Sequence, residues 1–247
     1  MRKQPNLTFF CELETPALRA IFDLGSLGKE TPKRPEAEGG SIIETLQAMD
    51  AGISMGLLDL SPERAEVVRK LNRAGIPLTA WLLLPKEAGY WLNVRNVNAA
   101  IAFYERFYAW TVDYGLQWEC VGLDIEPYIK EMEQWVRRPW RVLPRAFGRL
   151  LRPQRLAWAR AAYQQWIERI HHDGYVVEIY SLPWIVDERS MGSTFLQRML
   201  GTVDLDVDRE VLMLYSSFLD AYGPGMLWSY APAAQSIGVG STGGGVS

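Results

Sequence analysis

Histidine and cysteine are both scarce in this chain, with two of each in 247 residues. A histidine metal centre or a Ser-His-Asp triad therefore has almost nothing to build on. His171 and His172 are adjacent and precede Asp173-Gly174 at the end of a helical stretch, where a cation suits the helix dipole. Cys11 and Cys120 fall in strand-like runs assigned to non-adjacent strands, so they read as small buried hydrophobes in a reducing compartment rather than as a disulfide. No run reaches the ~20 apolar residues that a membrane-spanning helix needs. The basic start, Met1-Arg2-Lys3, is not followed by an apolar stretch of signal-peptide length. A cytoplasmic location is the expectation. A basic excess is missing too: the net charge is -3, which gives no reason to expect nucleic acid as a partner.

What the chain does have is apolar and aromatic mass. Hydrophobic residues make up 48% of it, with ten Trp and eleven Tyr. That is enough for the core of one large domain, and aromatic rings also offer faces on which sugar C–H groups stack. A small-molecule or glycan ligand follows from this composition, and no cofactor or metal is called for.

Along the chain, β-rich runs alternate with helical ones, the pattern of a parallel sheet covered by helices. Strands are predicted at Leu7–Glu14, Ile53–Leu60, Leu78–Leu84, Cys120–Glu126, Tyr175–Ser181, Val211–Ser216 and Ser236–Ser241. Between them lie a Gly/Pro-rich loop over 25–40 and helices over 42–50, 62–73 and 98–114. Ser61-Pro62-Glu63 opens the second of these helices with a cap and a first-position proline. A long helical segment over 129–172 is expected to be interrupted at Pro139, Pro144 and Pro153. The predicted fold class is α/β, a single (β/α)8 TIM-type barrel over 1–247. About seven strands are recognisable and an eighth is not, which leaves a barrel incomplete at the C-terminus, a fragment of a longer chain, or a strand that the pattern does not reveal.

In such a barrel, chemistry sits where the strands end. The fourth predicted strand ends in Gly122-Leu123-Asp124-Ile125-Glu126-Pro127-Tyr128. Alternation along a strand places Asp124 and Glu126 on one face, opposite the apolar Leu123 and Ile125. Two carboxylates on one buried face repel, so one of them tends to keep its proton. A protonated Glu at the rim is what a glycosidase needs to protonate a leaving oxygen. An ion-paired or metal-binding carboxylate pair is the competing interpretation.

Other residues could line the same mouth. Glu12 and Glu14 alternate at the end of the first strand and Asp59 ends the second. They suit sugar hydroxyls or a divalent ion, and serve equally as helix caps. With no carboxylate on the seventh strand, a protein nucleophile would have to be Glu178 on the fifth strand, or Glu12 or Glu14 on the first. Trp81, Tyr128, Tyr180 and Trp184 lie at or just past strand ends and are the candidates for stacking on substrate.

Glu119-Cys120-Val121-Gly122-Leu123-Asp124-Ile125-Glu126 resembles a degenerate form of the family 18 chitinase signature D-x-x-D-x-D-x-E, and Met213-Leu214-Tyr215-Ser216 resembles that family's M-x-Y-D. Glu119, Gly122 and Ser216 depart from it at three acidic positions. The resemblance implies that Glu126 is the acid/base, that Asp124 orients an N-acetyl group and that Tyr215 contacts it. Gly174-Tyr175-Val176-Val177-Glu178-Ile179-Tyr180-Ser181 more loosely resembles a strand of family 25 lysozymes. Both families imply cleavage at an N-acetylhexosamine with the substrate supplying the nucleophile. The departures leave a non-catalytic glycan-binding barrel as the alternative, and a divalent-metal enzyme using Glu12, Glu14, Asp59 and Asp124 as a further one.

One stretch stands apart from this. From Arg137 to Arg160 eight Arg interleave with Trp140, Leu143, Phe147, Leu150, Leu151 and Trp158, with Trp135 just before them. This insertion, at about 129–160, reads as a lid, a peripheral contact to membrane or acidic glycan, or an Arg-rich surface helix paired with acids.

Overall fold

The computed structural model describes residues 7–24, 41–128, 130–131, 134, 139–215 and 222–240. The predicted loop over 25–40, Trp135, Arg137, Arg138, Ser216 and Ser241 lie outside these residues. The strands are β1 (Leu7–Cys11), β2 (Ala51–Leu57), β3 (Leu78–Leu82), β4 (Cys120–Asp124), β5 (Val176–Ser181), β6 (Arg209–Met213) and β7 (Ser236–Gly238). They belong to one sheet in chain order. The pairings β1–β2, β2–β3, β5–β6 and β6–β7 are all parallel. Parallel neighbours in chain order, each pair joined through a helix, make this an α/β fold of TIM type, with seven strands among the described residues.

The helices are α1 (Thr15–Ile21), α2 (Ile42–Ala48), α3 (Pro62–Arg73), α4 (Val97–Tyr114), α5 (Pro139–Leu150), α6 (Pro153–His172), α7 (Ile185–Ser190), α8 (Phe195–Leu200) and α9 (Gly223–Tyr230). Local chemistry starts several of them. Ser41 caps α2 with a full capping box through Glu44. The Ser61 side chain accepts from the Arg64 amide at the start of α3, with Pro62 at the first position. Pro153 opens α6 in the same way.

Pro144 does not interrupt its helix as expected; it lies inside α5. The carbonyl left unserved by a proline is four residues back, here that of Trp140, an exposed residue in the first turn.

The chain forms two compact units: residues 1–82 with 103–121, and residues 83–102 with 122–247. The first has β2 at its centre, buried at every position and flanked by β1 and β3. Ala65, Val67, Val68 and Leu71 of α3 and Phe103, Phe107 and Trp110 of α4 are buried there, the last three at the helical spacing read from the sequence. In the second unit, β5 and β6 supply Val177, Ile179, Val211 and Leu212, and α6 supplies Tyr163, Trp166, Ile167 and Ile170. Cys11 and Cys120 are both free thiols.

Candidate functional site

The first unit holds Glu12, Glu14, Asp59 and Trp81. β1 ends at Cys11 and β2 at Leu57, so the three acids follow their strands instead of ending them. Glu14 is exposed and occupies the position that caps α1, whose first bond its carbonyl accepts from Leu18. Asp59 accepts from Thr15 Oγ1 (2.6 Å), Ser61 Oγ (2.5 Å), the Ser61 amide (3.0 Å) and an Arg64 guanidinium nitrogen (3.1 Å). Partial burial alone would push this carboxyl up, but the bonds from Ser61, Thr15 and Arg64 and the Arg64 charge outweigh it and hold its pKa at about 2. Asp59 thus ties the starts of α1 and α3 together. Trp81 is buried edge-on against Phe10, ring centroids 5.5 Å apart.

The second unit carries Asp124, Glu126 and their surroundings. Asp124 is the last residue of β4 and is buried; Ile125 makes a single parallel bridge to Leu92, and the half-buried Glu126 lies one step beyond. The Leu92 amide donates to the Asp124 carbonyl (2.8 Å), and the Glu126 amide donates to the Leu92 carbonyl (3.1 Å). One backbone residue therefore clamps the strand end from which both carboxylates project.

The segment supplying that clamp, residues 85–96, carries no signal in a strand or helix pattern. The buried Asn96 holds it in shape: its Oδ1 accepts from the Asn93 amide (2.9 Å), and its Nδ2 donates to the carbonyls of Ala88 (3.0 Å) and Trp91 (2.8 Å). The buried Tyr163 hydroxyl of α6 donates to the Asn93 carbonyl (3.0 Å). Tyr90 in this segment has φ 63°, a left-handed conformation that costs a bulky residue about 1–3 kcal/mol. The pair Asn93-x-x-Asn96, side chains that bond nearby backbone, is the feature of the sequence that could have flagged this loop.

The loop also positions an aromatic ring. Gly89, at φ 116°, leaves room for Tyr128, whose ring atoms would be 3.0 Å from a Cβ there. The Arg95 guanidinium carbon stands 5.4 Å from the centroid of the same ring. Tyr128 is therefore fixed just past Glu126, half-buried.

Gly122 decides what lies under the carboxylates. A Cβ at this position would sit 2.5 Å from the Tyr180 hydroxyl oxygen and 3.0 Å from its ring carbon Cζ. An aspartate, the residue of the chitinase signature at this place, does not fit while Tyr180 fills the space. Tyr180 is 1% exposed and hydrogen-bonds Glu178, also buried and on the same face of β5. Its ring shows no free face for stacking. The Tyr180 carbonyl meanwhile accepts from the Ile125 amide (3.3 Å), tying β5 to the residue between Asp124 and Glu126.

Burial pushes the Glu178 carboxyl up from its ordinary range, and the Tyr180 bond and the Arg209 charge oppose this only in part. A carboxyl whose folded pKa lies above its unfolded value of about 4.3 favours folding most below that value, and stability falls as pH rises through the window up to the folded pKa. Glu178→Gln keeps the bond from Tyr180 and removes the titration. Thermal melting from pH 4 to 8 is expected to show a flatter decline for the variant and a higher Tm at neutral pH. A melting profile parallel to the parent's would refute this.

Trp184 precedes α7 and is half-buried. Tyr215 lies two residues past β6, with a ring carbon 4.0 Å from where a Gly240 Cβ would stand. Within the second unit the structure thus joins Gly122, Glu178 and Tyr180 into one packed group beside the clamped segment Asp124–Glu126. Among the described residues no three of His, Cys, Asp or Glu come together as ligands for an ion, Glu12, Glu14, Asp59 and Asp124 included. His171 is paired instead with Asp208 at 2.7 Å.

No family model matches the chain, and no curated protein matches it. Among solved structures it is similar to a xylose isomerase domain protein from Planctomyces limnophilus, at 11% identity over 94% of this chain and 72% of that one, with a TM-score of 0.43. A likeness at this level carries nothing about function. No helix among the described residues is long and apolar enough to cross a membrane.

Proposed function

We propose that the chain is a glycoside hydrolase acting on a β-linked glycan that contains N-acetylhexosamine, with Glu126 as the acid. The observation that supports this most is the strand end itself. Asp124 and Glu126 stand two residues apart at the C-terminal end of a parallel strand, their backbone clamped on one edge by Leu92 and tied on the other to Tyr180. Carboxyls set on a rigid strand end meet the demand that an acid be held within reach of the leaving oxygen.

The reaction would run in two halves. Glu126 gives its proton to the glycosidic oxygen while the carbonyl oxygen of the substrate's own N-acetyl group bonds to the anomeric carbon and the C–O bond to the leaving sugar breaks. Water then opens the cyclic intermediate, returning a proton to Glu126. Asp124 would orient the N-acetyl N–H, and Tyr215 would contact the same group. Tyr128 and Trp184 are the half-buried rings available for stacking on substrate. This route needs no protein nucleophile. Glu178, committed to Tyr180 and buried beneath it, is poorly placed to be one.

A glycan-binding barrel without turnover is the second reading, and Gly122 favours it: the place of one signature acid is filled by Tyr180. Incubation of the purified chain with β-1,4-linked N-acetylglucosamine oligomers separates the two. Release of new reducing ends is expected; saturable binding with no release over pH 4 to 8 would replace the first reading by the second. Neither binding nor release would sink both.

A further inference from the structure

A pocket of about 280 Å³ opens in the second unit, and arginines make up most of its wall: Arg95, Arg145, Arg149, Arg152, Arg155 and Arg198. Elements distant in sequence bring them together: the loop before α4, helix α5, the start of α6, and α8. Guanidinium groups round one concavity repel one another, and the fold holds two of them with a single acid. Glu131, 4% exposed, takes Arg95 at 2.8 Å on one oxygen and Arg149 at 2.7 Å on the other. Arg198 donates to the carbonyls of Leu150 (2.9 Å) and Thr194 (3.3 Å), which carry no charge. Arg145, Arg152 and Arg155 have no acidic side-chain partner among the described residues.

One carboxylate against so many cations leaves the pocket strongly positive in a chain whose net charge is -3. An oxyanion supplies the missing acceptors, since the guanidinium fork binds carboxylate or sulfate oxygens two at a time. The place of the pocket says what carries that oxyanion. Leu92 bridges Ile125 and bonds the backbone of Asp124 and Glu126. Arg95 follows Leu92 by three residues, a chain reach of at most about 10 Å. Its guanidinium carbon lies 5.4 Å from the centre of the Tyr128 ring, two residues past Glu126. Arg95 therefore belongs to both places: it packs on the ring beside the strand end, and it lines the pocket. A ligand that extends from Glu126 across Tyr128 reaches the pocket by way of Arg95.

We infer that the glycan is an anionic one: a carboxylate or sulfate ester on a sugar flanking the unit at Glu126 enters this pocket and is held by Arg95, Arg145, Arg152 and Arg155. This rests on the reading of the strand end as a glycan site. It makes the four arginines specificity determinants, which select the charged chain over a neutral one of the same linkage. A free anion would engage the arginines equally well but would have no use for their continuity with Tyr128 and the clamped strand end.

Calorimetric titration of the full chain at pH 7 with three hexasaccharides tests it. One is neutral β-1,4-linked N-acetylglucosamine; hyaluronan carries a carboxylate on alternate sugars; chondroitin sulfate adds a sulfate ester. An anionic hexamer is expected to bind at least about tenfold tighter than the neutral one, with the advantage shrinking as salt is raised. A further gain from hyaluronan to chondroitin sulfate would name sulfate as the group, and equal gains the carboxylate. Arg145→Gln with Arg152→Gln and Arg155→Gln should abolish the advantage while leaving the neutral hexamer's affinity and the Tm unchanged. All three side chains are exposed, and that of Arg152 makes no cap bond to α6. Equal affinity for neutral and anionic hexamers, or an advantage that survives the triple substitution, would overturn the inference. Inorganic sulfate bound by the same arginines, with no preference among the hexamers, would make the pocket a free-anion site and overturn it too. The two readings fail separately. Cleavage of the neutral hexamer without an anionic preference removes the inference and keeps the hydrolase; arginine-dependent affinity without cleavage keeps the inference and removes turnover.

Discussion

Replacing Glu126 by glutamine is expected to lower turnover of β-linked N-acetylglucosamine oligomers about 10²–10⁴-fold, the usual weight of a positioned general acid. The side chain is nearly isosteric, and Glu126 is half-buried and held through its backbone to Leu92, so the variant should fold and melt like the parent. KM should change little, because the amide in place of the carboxyl would still accept and donate hydrogen bonds at the rim. Aryl glycosides with a good leaving group sharpen the result. Their departure needs little protonation, so much of the lost rate should return on them if Glu126 is the acid. A uniform loss on both kinds of substrate would point to a binding role, and unchanged turnover on the oligomer would remove Glu126 from the chemistry.

Asp124→Asn gives the complementary result. In the substrate-assisted route the Asp124 carboxylate orients the N-acetyl group, so its loss should depress turnover on N-acetylated oligomers and on activated aryl substrates alike. The contrast between the two variants separates proton donation from nucleophile placement. Both measurements presuppose the turnover expected of the parent chain.

Much of the architecture was legible because it rests on short-range rules. The Ser61-Pro62 start of α3 and the short β-rich runs of β4 and β5 express local chemistry that a single sequence displays. Strand ends were less legible. β1 was read to Glu14 and stops at Cys11 because Thr15-Pro16 already begins α1, whose capping position Glu14 takes. The short helices α7 and α8 were missed altogether. Their six-residue lengths are too brief for helical periodicity to emerge, and α8 leans on a distant residue: the buried Glu188 accepts from the amides of Leu196 (2.6 Å) and Gln197 (3.1 Å) at its start.

The candidate site divides in the same way. Asp124 and Glu126 were visible as a motif, but what holds them was not. Leu92 sits some thirty residues upstream in a loop with no periodic pattern, and its bonds to Asp124 and Glu126 are backbone bonds, which leave no trace in residue identity. Gly122 read as an eroded acid position. In the structure it is the space that Tyr180 needs, a pairing across strands that no single segment could disclose.

The largest stability effect is expected at Arg64. Its side chain is fully buried, and its guanidinium donates to the carbonyl of Gly56 at the end of β2 (3.0 Å), to the Leu13 carbonyl after β1 (2.9 Å) and to Asp59 (3.1 Å). Arg64→Ala would leave two carbonyls and a carboxylate without their donor and open a cavity in the first unit. A cost of about 3–5 kcal/mol follows, or a fall in Tm of roughly 6–20 °C for a chain of this size. Arg64→Met separates the two causes: if volume dominates, Met recovers most of the loss, and if the lost donors dominate, it recovers little. Acid titration supplies an independent check. With its folded pKa held at about 2, Asp59 contributes stability that is present above its unfolded value near 3.9 and is lost as pH falls toward 2. Without Arg64 the remaining bonds from Ser61 and Thr15 hold Asp59 down less, so the variant's stability should depend less steeply on pH between about 4 and 2. An Arg64→Ala protein that melts with the parent and shows the same acid limb would mean that water replaces the guanidinium at no cost. The three acceptors would then be held by the packing around them, without need of the charge.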